Sequence, residues 1–511
     1  MTAEPVVGLD FGSIRGRLTA AGDVRVFRGV PFAADTGGAN RWRGPQPVRA
    51  WSGIRDALAP GVICPQPKAI IWPIKDPQGE DCLTLSVWAP AGEPESNSGR
   101  WPILLWIHGG GFSTGAGSTI FFDGEELARL GAVVVTINYR LGPFGFLAHP
   151  AFSAESPDKV SGNVGLLDQV AALEWVQRNG AAFGGDPECV TVFGESAGAA
   201  SIARLLVSPK AERLFHRAIL QSGHARGRNR WLRKEVPGFE AAETVGTRIA
   251  AALGCSDVGP VAETACLRAK TPAEVLVAAD PAQGLYGGGI KFAPIVDGVI
   301  IPDDPERLFA AGRFHRVPIL IGTNADEGSI FTGATRMTTR AQFDGMLRRR
   351  FGPLADEAAR LYPVAADADV EPALNRLITD ASFLTPARAL ARQVATVQPD
   401  KVWMYHFTRV SPAGRKNGRG AFHAAEVSYV FNRVGNTLAY DDTDRAVARA
   451  MSRTWVEFAR SGRANWSPYS PDTESYLDIG DTLSERQHLR REACDLIDRV
   501  AAARGSDGEG E

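Results

Sequence analysis

Two serines in the sequence stand between glycines at the G-x-S-x-G spacing that can mark a hydrolase nucleophile: Ser113 within Gly111–Gly115 and Ser196 within Gly194–Gly198. In a chain with 55 glycines the pattern arises by chance on the order of a few tenths of a time, so context has to decide. A nucleophile of this kind needs a strand entering, a strained turn, a helix leaving, and small neighbours that let strand and helix approach. VTVFGESAGAA meets the demand: Val190–Phe193 reads as a strand, and Ala197-Gly198-Ala199-Ala200 opens a helix running to Val207. Ser113 is followed by Thr114-Gly115-Ala116-Gly117-Ser118, a loop. Ser196 is the candidate nucleophile; its plain alternative is a helix N-cap serine.

The glycines ahead of Ser113 then need another task. Attack on an ester builds negative charge on the carbonyl oxygen, and preorganised backbone N–H groups stabilise it by about 2.7–4 kcal/mol each. Only a backbone free of side chains can aim successive N–H groups at one spot. Gly109-Gly110-Gly111 directly follows the apolar run Ile103–Ile107 and suits such an oxyanion loop. A flexible loop is the bland alternative.

The base and acid follow from chain order, which in this architecture is Ser, acid, His. Of the eight histidines, His108 and His149 precede Ser196, and His216, His224 and His315 precede any late acid. His406 lies within the strand-like KVWMYHFTRV, and His488 in a polar stretch. His423, in GAFHAAEVSYVF, falls in a loop beyond a strand, where a catalytic base belongs. The acid should leave the run Pro318–Gly322, where Asp326 and Glu327 both qualify. Chemistry alone does not separate them, because either carboxylate could hold the imidazole tautomer.

The elements that must position these groups alternate. Leu83–Trp88, Ile103–His108, Val133–Tyr139, Val190–Phe193, Ala218–Gln221, Ile319–Gly322 and Val402–Thr408 read as strands, and Leu166–Gly180 has helical apolar spacing. Alternation of this kind implies an α/β fold: a large, mostly parallel central sheet with helices on both faces and long insertions. No Pro/Ser-rich linker divides the chain, so residues 1–500 read as one domain, and RGSDGEGE at the end of 501–511 reads as a disordered tail. A formal net charge of −2 gives no pull toward nucleic acid. No apolar run reaches membrane-spanning length, and the first thirty residues lack the apolar core of a secretory leader, which implies a cytoplasmic protein. The six cysteines form no CxxC or Cys/His cluster, so neither a metal nor any other cofactor is expected.

At this point the ordered motifs resemble a known family. EDCL at Glu80–Leu83, HGGGF at His108–Phe112, NYRLG at Asn138–Gly142, GNVGLLDQVAALEWVQRNGAAFGGDP, GESAG, NADEGSIF and FHAAEVSYVF are together similar to the type-B carboxylesterase/cholinesterase family of the α/β-hydrolase fold, in its bacterial para-nitrobenzyl-esterase-like branch. The resemblance runs from about Val6 to the region of Cys494. It implies that Glu327, the Glu before Gly, is the acid, and that Gly110, Gly111 and Ala197 supply the oxyanion N–H groups. Glu195 corresponds to a buried carboxylate beside the nucleophile, and Ser222 to another buried polar neighbour. Cys64–Cys82 and Cys255–Cys266 occupy the places of the family's two intrachain disulfides. Trp72 lies in the first of those loops, near where cholinesterases bind a quaternary ammonium by cation–π attraction, although a packing role is the simpler alternative. Ile290 and Phe292 fall where the family's acyl-pocket residues lie, or belong to the core.

The resemblance implies a serine esterase that forms an acyl-enzyme, acts on short-acyl and aryl esters, has small-molecule esters as its partners, and is a monomer by preference. Three rivals share the motifs: a carbamate or amide hydrolase on the same triad, a lipase, and a noncatalytic cholinesterase-like interaction protein. The last usually lacks a triad member, whereas Ser196, Glu327 and His423 are all present. The segment IIWPIKDPQGED, with its four charges, is a poor apolar lid for a lipase.

Overall fold

A computed structural model describes residues 4–69, 75–94, 99–227, 229–256, 258–435 and 439–506. Trp72 therefore lies outside the described residues. The chain falls into two compact units, the first Met1–Ile219, Gly227–Pro318 and Ser452–Arg463, the second Leu220–Arg226, Ile319–Met451 and Ala464–Glu511. The units interleave along the sequence, so no single cut divides it.

In the first unit the continuous apolar runs become strands buried on both faces, as parallel strands must be when helices cover them. Trp101–Ile107 lies between Val133–Ile137 and Gly185–Glu195 and is parallel to both, with Ile103 opposite Val133 on one side and Val190 on the other. Farther out the pairing turns antiparallel: Thr84–Pro90 against Val133–Ile137, then Val24–Pro31 against Thr84–Pro90. Val6–Leu9 and Gly12–Arg15 form an antiparallel N-terminal hairpin, joined by Ile54–Asp56 in a separate small sheet. The helix with apolar spacing runs Val164–Asn179 and ends at Gly180. Cys64 is bonded to Cys82 and Cys255 to Cys266.

The second unit repeats the pattern. Ile319–Asn324, Val402–Phe407 and Ser475–Ile479 are parallel in that order, and Leu483–Gln487 closes the set antiparallel. The strand Arg217–Gln221 has its first three residues in the first unit and its last two in the second. Helix Val370–Thr379 continues through a π-helical turn, Asp380–Leu384, into helix Thr385–Val397. The C-terminal helix Arg491–Ser506 runs into the stretch expected to be a tail from residue 501, which is helical as far as Ser506.

Candidate active site

In the first unit the strand Gly185–Glu195 delivers Ser196 to a tight turn. Ser196 has φ 53° and ψ −118°, a left-handed region that costs an L-residue energy, and helix Ala197–Leu205 starts at the next position. The turn closes only because its flanks are glycine. A side chain at Gly198 would collide with the Ile107 carbonyl, and a Cβ at Gly194 would lie 2.7 Å from the same oxygen. This is the strand–turn–helix geometry that a nucleophile elbow requires.

The strand Trp101–Ile107 then brings the glycine loop to the same serine. A Cβ on Gly109 would sit 2.6 Å from Glu195 Oε2 and 3.1 Å from Ser196 Cβ, so only glycine fits. Gly110 and Gly111 have φ of 105° and 63°, and among the described residues their N–H groups have no hydrogen-bond acceptor. The N–H of Ala197, first in its helix, has no acceptor within that helix. His108 fixes the loop's entry. It is buried, its Nδ1 lies 2.8 Å from the Gly109 carbonyl, and its ring stacks on Tyr139, whose hydroxyl donates to the His108 carbonyl at 3.0 Å. Burial pushes the His108 imidazole down to about 4, so it is neutral. Burial, with the Glu195 charge second, holds the Tyr139 phenol protonated.

Ser113 occupies a different setting. It follows Phe112, itself at φ 60°, in the turn that ends the glycine loop, and its fully buried hydroxyl donates to the Ala282 carbonyl at 2.9 Å. It ties the loop to the segment that carries Ile290, because Ala282 N–H donates to the Ile290 carbonyl at 2.9 Å. Ile290 and Phe292 line a cavity of about 130 Å³ whose lining residues include neither Ser196 nor the glycine loop.

In the second unit Glu327 and His423 meet. His423 Nδ1 lies 2.5 Å from Glu327 Oε2, while Glu327 Oε1 accepts from Ser222 Oγ at 2.5 Å and from Asn324 N–H at 2.7 Å. The Glu327 side chain is wholly buried. A carboxylate in its ionised form only accepts, so in that contact Nδ1 is the donor. Phe331 and Phe383 flank the imidazole at ring distances of 5.4 and 4.8 Å. Phe383 reaches it from the π-helical turn, a local irregularity common at functional sites.

Asp326, the equal candidate on chemical grounds, is used elsewhere. It accepts from Ala421 N–H and from Asn375 Nδ2, each at 2.9 Å, and so clamps the loop that carries His423. A side chain at Gly420 would strike its carboxylate. Ser222, at φ 52°, is held in a left-handed conformation that turns its hydroxyl onto Glu327. The residue that motif reasoning passed over is Glu426. Fully buried, it accepts from Gln221 Nε2 at 2.9 Å and from Asn324 Nδ2 at 2.5 Å. Burial, and then the Glu327 charge, raises its carboxyl above the usual range. Its signal was in FHAAEV, an acid three residues beyond the histidine in a stretch otherwise apolar.

Among the described residues no group of three or more His, Cys, Asp or Glu side chains is arranged to hold a metal, and no helix is long and apolar enough to cross a membrane.

Comparison with known proteins identifies the class. The model of the carboxylesterase family matches residues 3–497. The solved structure of a PNB esterase superposes with a TM-score of 0.80 at 33 % identity, covering 97 % of this chain and 100 % of that one. The fold is thus the α/β-hydrolase fold, and the protein is a carboxylic-ester hydrolase. The chain belongs to the carboxylesterase family. It is 39 % identical over 463 residues to the fumonisin B1 esterase of Sphingopyxis macrogoltabida, covering 88 % of this chain and 81 % of that one. It is 35 % identical over 491 residues to the para-nitrobenzyl esterase of Bacillus subtilis (92 % and 94 %), and 33 % over 515 residues to the cholinesterase of Mus musculus (93 % and 83 %).

Proposed function

We propose that this ester hydrolase works through an acyl-enzyme on Ser196, with His423 as base and Glu327 as the acid that orients it. The observation that carries the reading is the Glu327–His423 pair at 2.5 Å, with the far carboxylate oxygen already committed to Ser222 and Asn324. That arrangement puts the Nδ1 proton on the carboxylate side and readies Nε2 to accept one. The strained turn at Ser196 and the glycine loop against it add support.

In this mechanism the Ser196 hydroxyl loses its proton to His423 Nε2 as its oxygen bonds to the ester carbonyl carbon. The oxyanion is received by the N–H groups of Gly110, Gly111 and Ala197. The alcohol departs with the proton from His423, and water, deprotonated by the same imidazole, releases the acid and regenerates Ser196. Glu195 acts beside the nucleophile by fixing the Gly109 approach.

For substrate we propose short-acyl and aryl esters, with Ile290 and Phe292 bounding the acid side and, from its place in the sequence alone, Trp72 as the aromatic partner of the alcohol. A phenylalanine wall penalises long or branched acids, because overpacking costs about 1–3 kcal/mol. An aromatic alcohol-side wall favours aryl groups by roughly 0.5–1.5 kcal/mol. A panel of p-nitrophenyl esters from acetyl to decanoyl, matched alkyl esters, one carbamate and one anilide tests this. The expected kcat/KM maximum lies at acetyl to butyryl, with aryl above alkyl. A maximum at decanoyl, or faster turnover of the carbamate or anilide, overturns it.

A further inference from the structure

The N–H groups of Gly110 and Gly111 are aimed by bonds made on the far side of their own peptide planes. A trans peptide holds its C=O and N–H antiparallel, so each N–H points away from the carbonyl of the preceding residue. For Gly110 N–H that carbonyl is Gly109, which accepts from His108 Nδ1 at 2.8 Å. For Gly111 N–H it is Gly110, which accepts from the backbone N–H groups of Ser113 at 3.2 Å and Thr114 at 3.1 Å, and from Thr114 Oγ1 at 3.2 Å. The His108 ring and the turn at Thr114 therefore set the direction of both proposed oxyanion donors.

Gly115 is where these two supports meet. Its φ of 125° favours glycine. A Cβ there would strike His108 Nδ1 and lie 2.7 Å from the Gly109 carbonyl. It also follows Thr114, whose carbonyl packs so closely on Gly110 that a Cβ on Gly110 would collide with it. A shift of the Gly115 backbone thus moves the His108 ring, the Gly109 carbonyl or the Thr114 turn.

One side chain holds Gly115 at both its polar groups. Gln66 Oε1 accepts from Gly115 N–H at 2.8 Å, and Gln66 Nε2 donates to the Gly115 carbonyl at 2.9 Å. The second Nε2 hydrogen goes to the Cys64 carbonyl at 3.0 Å. Two carbonyls and one N–H face the buried amide, so a single orientation serves all three. The mount is itself fixed. Gln66 N–H donates to Gln78 Oε1 at 2.9 Å, and Cys64, two residues earlier, is bonded to Cys82.

We infer that Gln66 is a positioning residue for the oxyanion loop, acting on the reaction only through Gly115 and the groups Gly115 presses on. The inference rests on the proposed mechanism, in which the N–H groups of Gly110 and Gly111 receive the oxyanion. Without the clamp both polar groups of Gly115 lose their partner together, and the loop's donors lose their aim. The cost falls on the transition state, where the oxygen carries its charge, and little on binding of the neutral ester. Removing one oxyanion donor outright costs about 10²–10³-fold in kcat, so misdirecting donors that stay in place should cost about 10- to 100-fold.

The test measures kcat and KM on p-nitrophenyl butyrate together with Ki for propyl trifluoromethyl ketone. The serine oxygen bonds to the ketone carbon while the carbonyl oxygen takes up the electron pair, so the adduct places an oxyanion on the same N–H groups. In Gln66→Met, which keeps the volume and loses the amide, kcat is expected to fall about 10- to 100-fold with KM within about threefold of wild type. Ki should rise by the factor by which kcat falls. Should Gln66→Met fail to fold, Gln66→Asn gives the same reading, since it keeps a polar amide but falls one methylene short of Gly115. A folded variant with kcat within twofold of wild type overturns the inference. So does a fall in kcat with Ki unmoved, because the loss would then not pass through the oxyanion loop. Ester hydrolysis retained by Ser196→Ala would instead strike the mechanism beneath, and the inference with it.

Discussion

Replacing Glu327 by Gln removes one charge and no volume, and its effect can be worked out from three hydrogen bonds. Oε1 receives two donors, Ser222 Oγ and Asn324 N–H, and Oε2 faces His423 Nδ1. A glutamine has one accepting oxygen. Placed toward Ser222 and Asn324, it turns its NH2 onto Nδ1, which must then accept. The imidazole proton moves to Nε2, and the base is lost. Placed toward His423, the oxygen keeps the productive tautomer; the Ser222 hydroxyl can turn to accept from the NH2, but the Asn324 N–H is left facing a donor. Each donor left unsatisfied costs about 1–3 kcal/mol. The productive arrangement is thus about 1–3 kcal/mol less favourable, and kcat should fall between about 5-fold and about 160-fold. Asp326→Asn loses one of two side-chain contacts, those to Ala421 and Asn375, and should retain kcat within about tenfold. The assay is kcat on saturating p-nitrophenyl butyrate, with circular dichroism and a melting curve to show that both variants fold. A loss of hundreds-fold in Asp326→Asn, with Glu327→Gln near wild type, would refute the reasoning and move the acid to Asp326.

Ser113→Ala should keep most activity and lower stability by about 1 kcal/mol, since the Ala282 carbonyl loses its donor; a loss of activity comparable to Ser196→Ala, measured on the same ester, would contradict this. His108 is held at about 4 by burial, below its unfolded value of about 6.5. The unfolded chain therefore binds the extra proton first, so the stability His108 contributes is complete above about 6.5 and is lost as pH falls toward 4, by about 3 kcal/mol in all. Urea midpoints at pH 7 and pH 5 should converge in His108→Gln relative to wild type; an unchanged pH dependence would remove His108 as the cause. The Cys64–Cys82 bond closes a loop across a sequence separation of 18, worth about 3 kcal/mol in the chain-entropy model. The Cys64→Ala/Cys82→Ala variant should fold and hydrolyse ester with a lower melting point, and a chain that no longer folds would show the bond to be indispensable.

The apolar strands and the glycine motifs were the most legible parts of the sequence, because both are local. Ile103–Ile107 and Val133–Ile137 are continuous β-branched and aliphatic runs, and their burial on both faces leaves little else for them to be. The Ser196 turn was legible because the glycines that permit its φ flank it in the chain. The sequence left Asp326 and Glu327 equal, since the difference is made by residues far along the chain: Ala421 and Asn375 take Asp326, while Ser222 and His423 take Glu327. Glu426 went unread for the same reason, its partners Gln221 and Asn324 being remote. The hairpin Ser475–Gln487 was not read as strands because Leu483–Gln487 is charged and mostly exposed, an edge strand without an apolar face. Helices such as Arg340–Phe351 carry a weak apolar stripe and are marked instead by a Thr339–Gln342 capping box.

In the proposed mechanism Ser196, and not Ser113, carries the acyl group. Brief reaction with a fluorophosphonate, followed by proteolysis and mass analysis of the labelled peptide, tests it directly. One phosphonyl group per chain is expected, on the peptide bearing Gly194-Glu195-Ser196, with ester hydrolysis lost in proportion to labelling. A label on the Ser113 peptide, or complete inactivation with Ser196 unmodified, would contradict it.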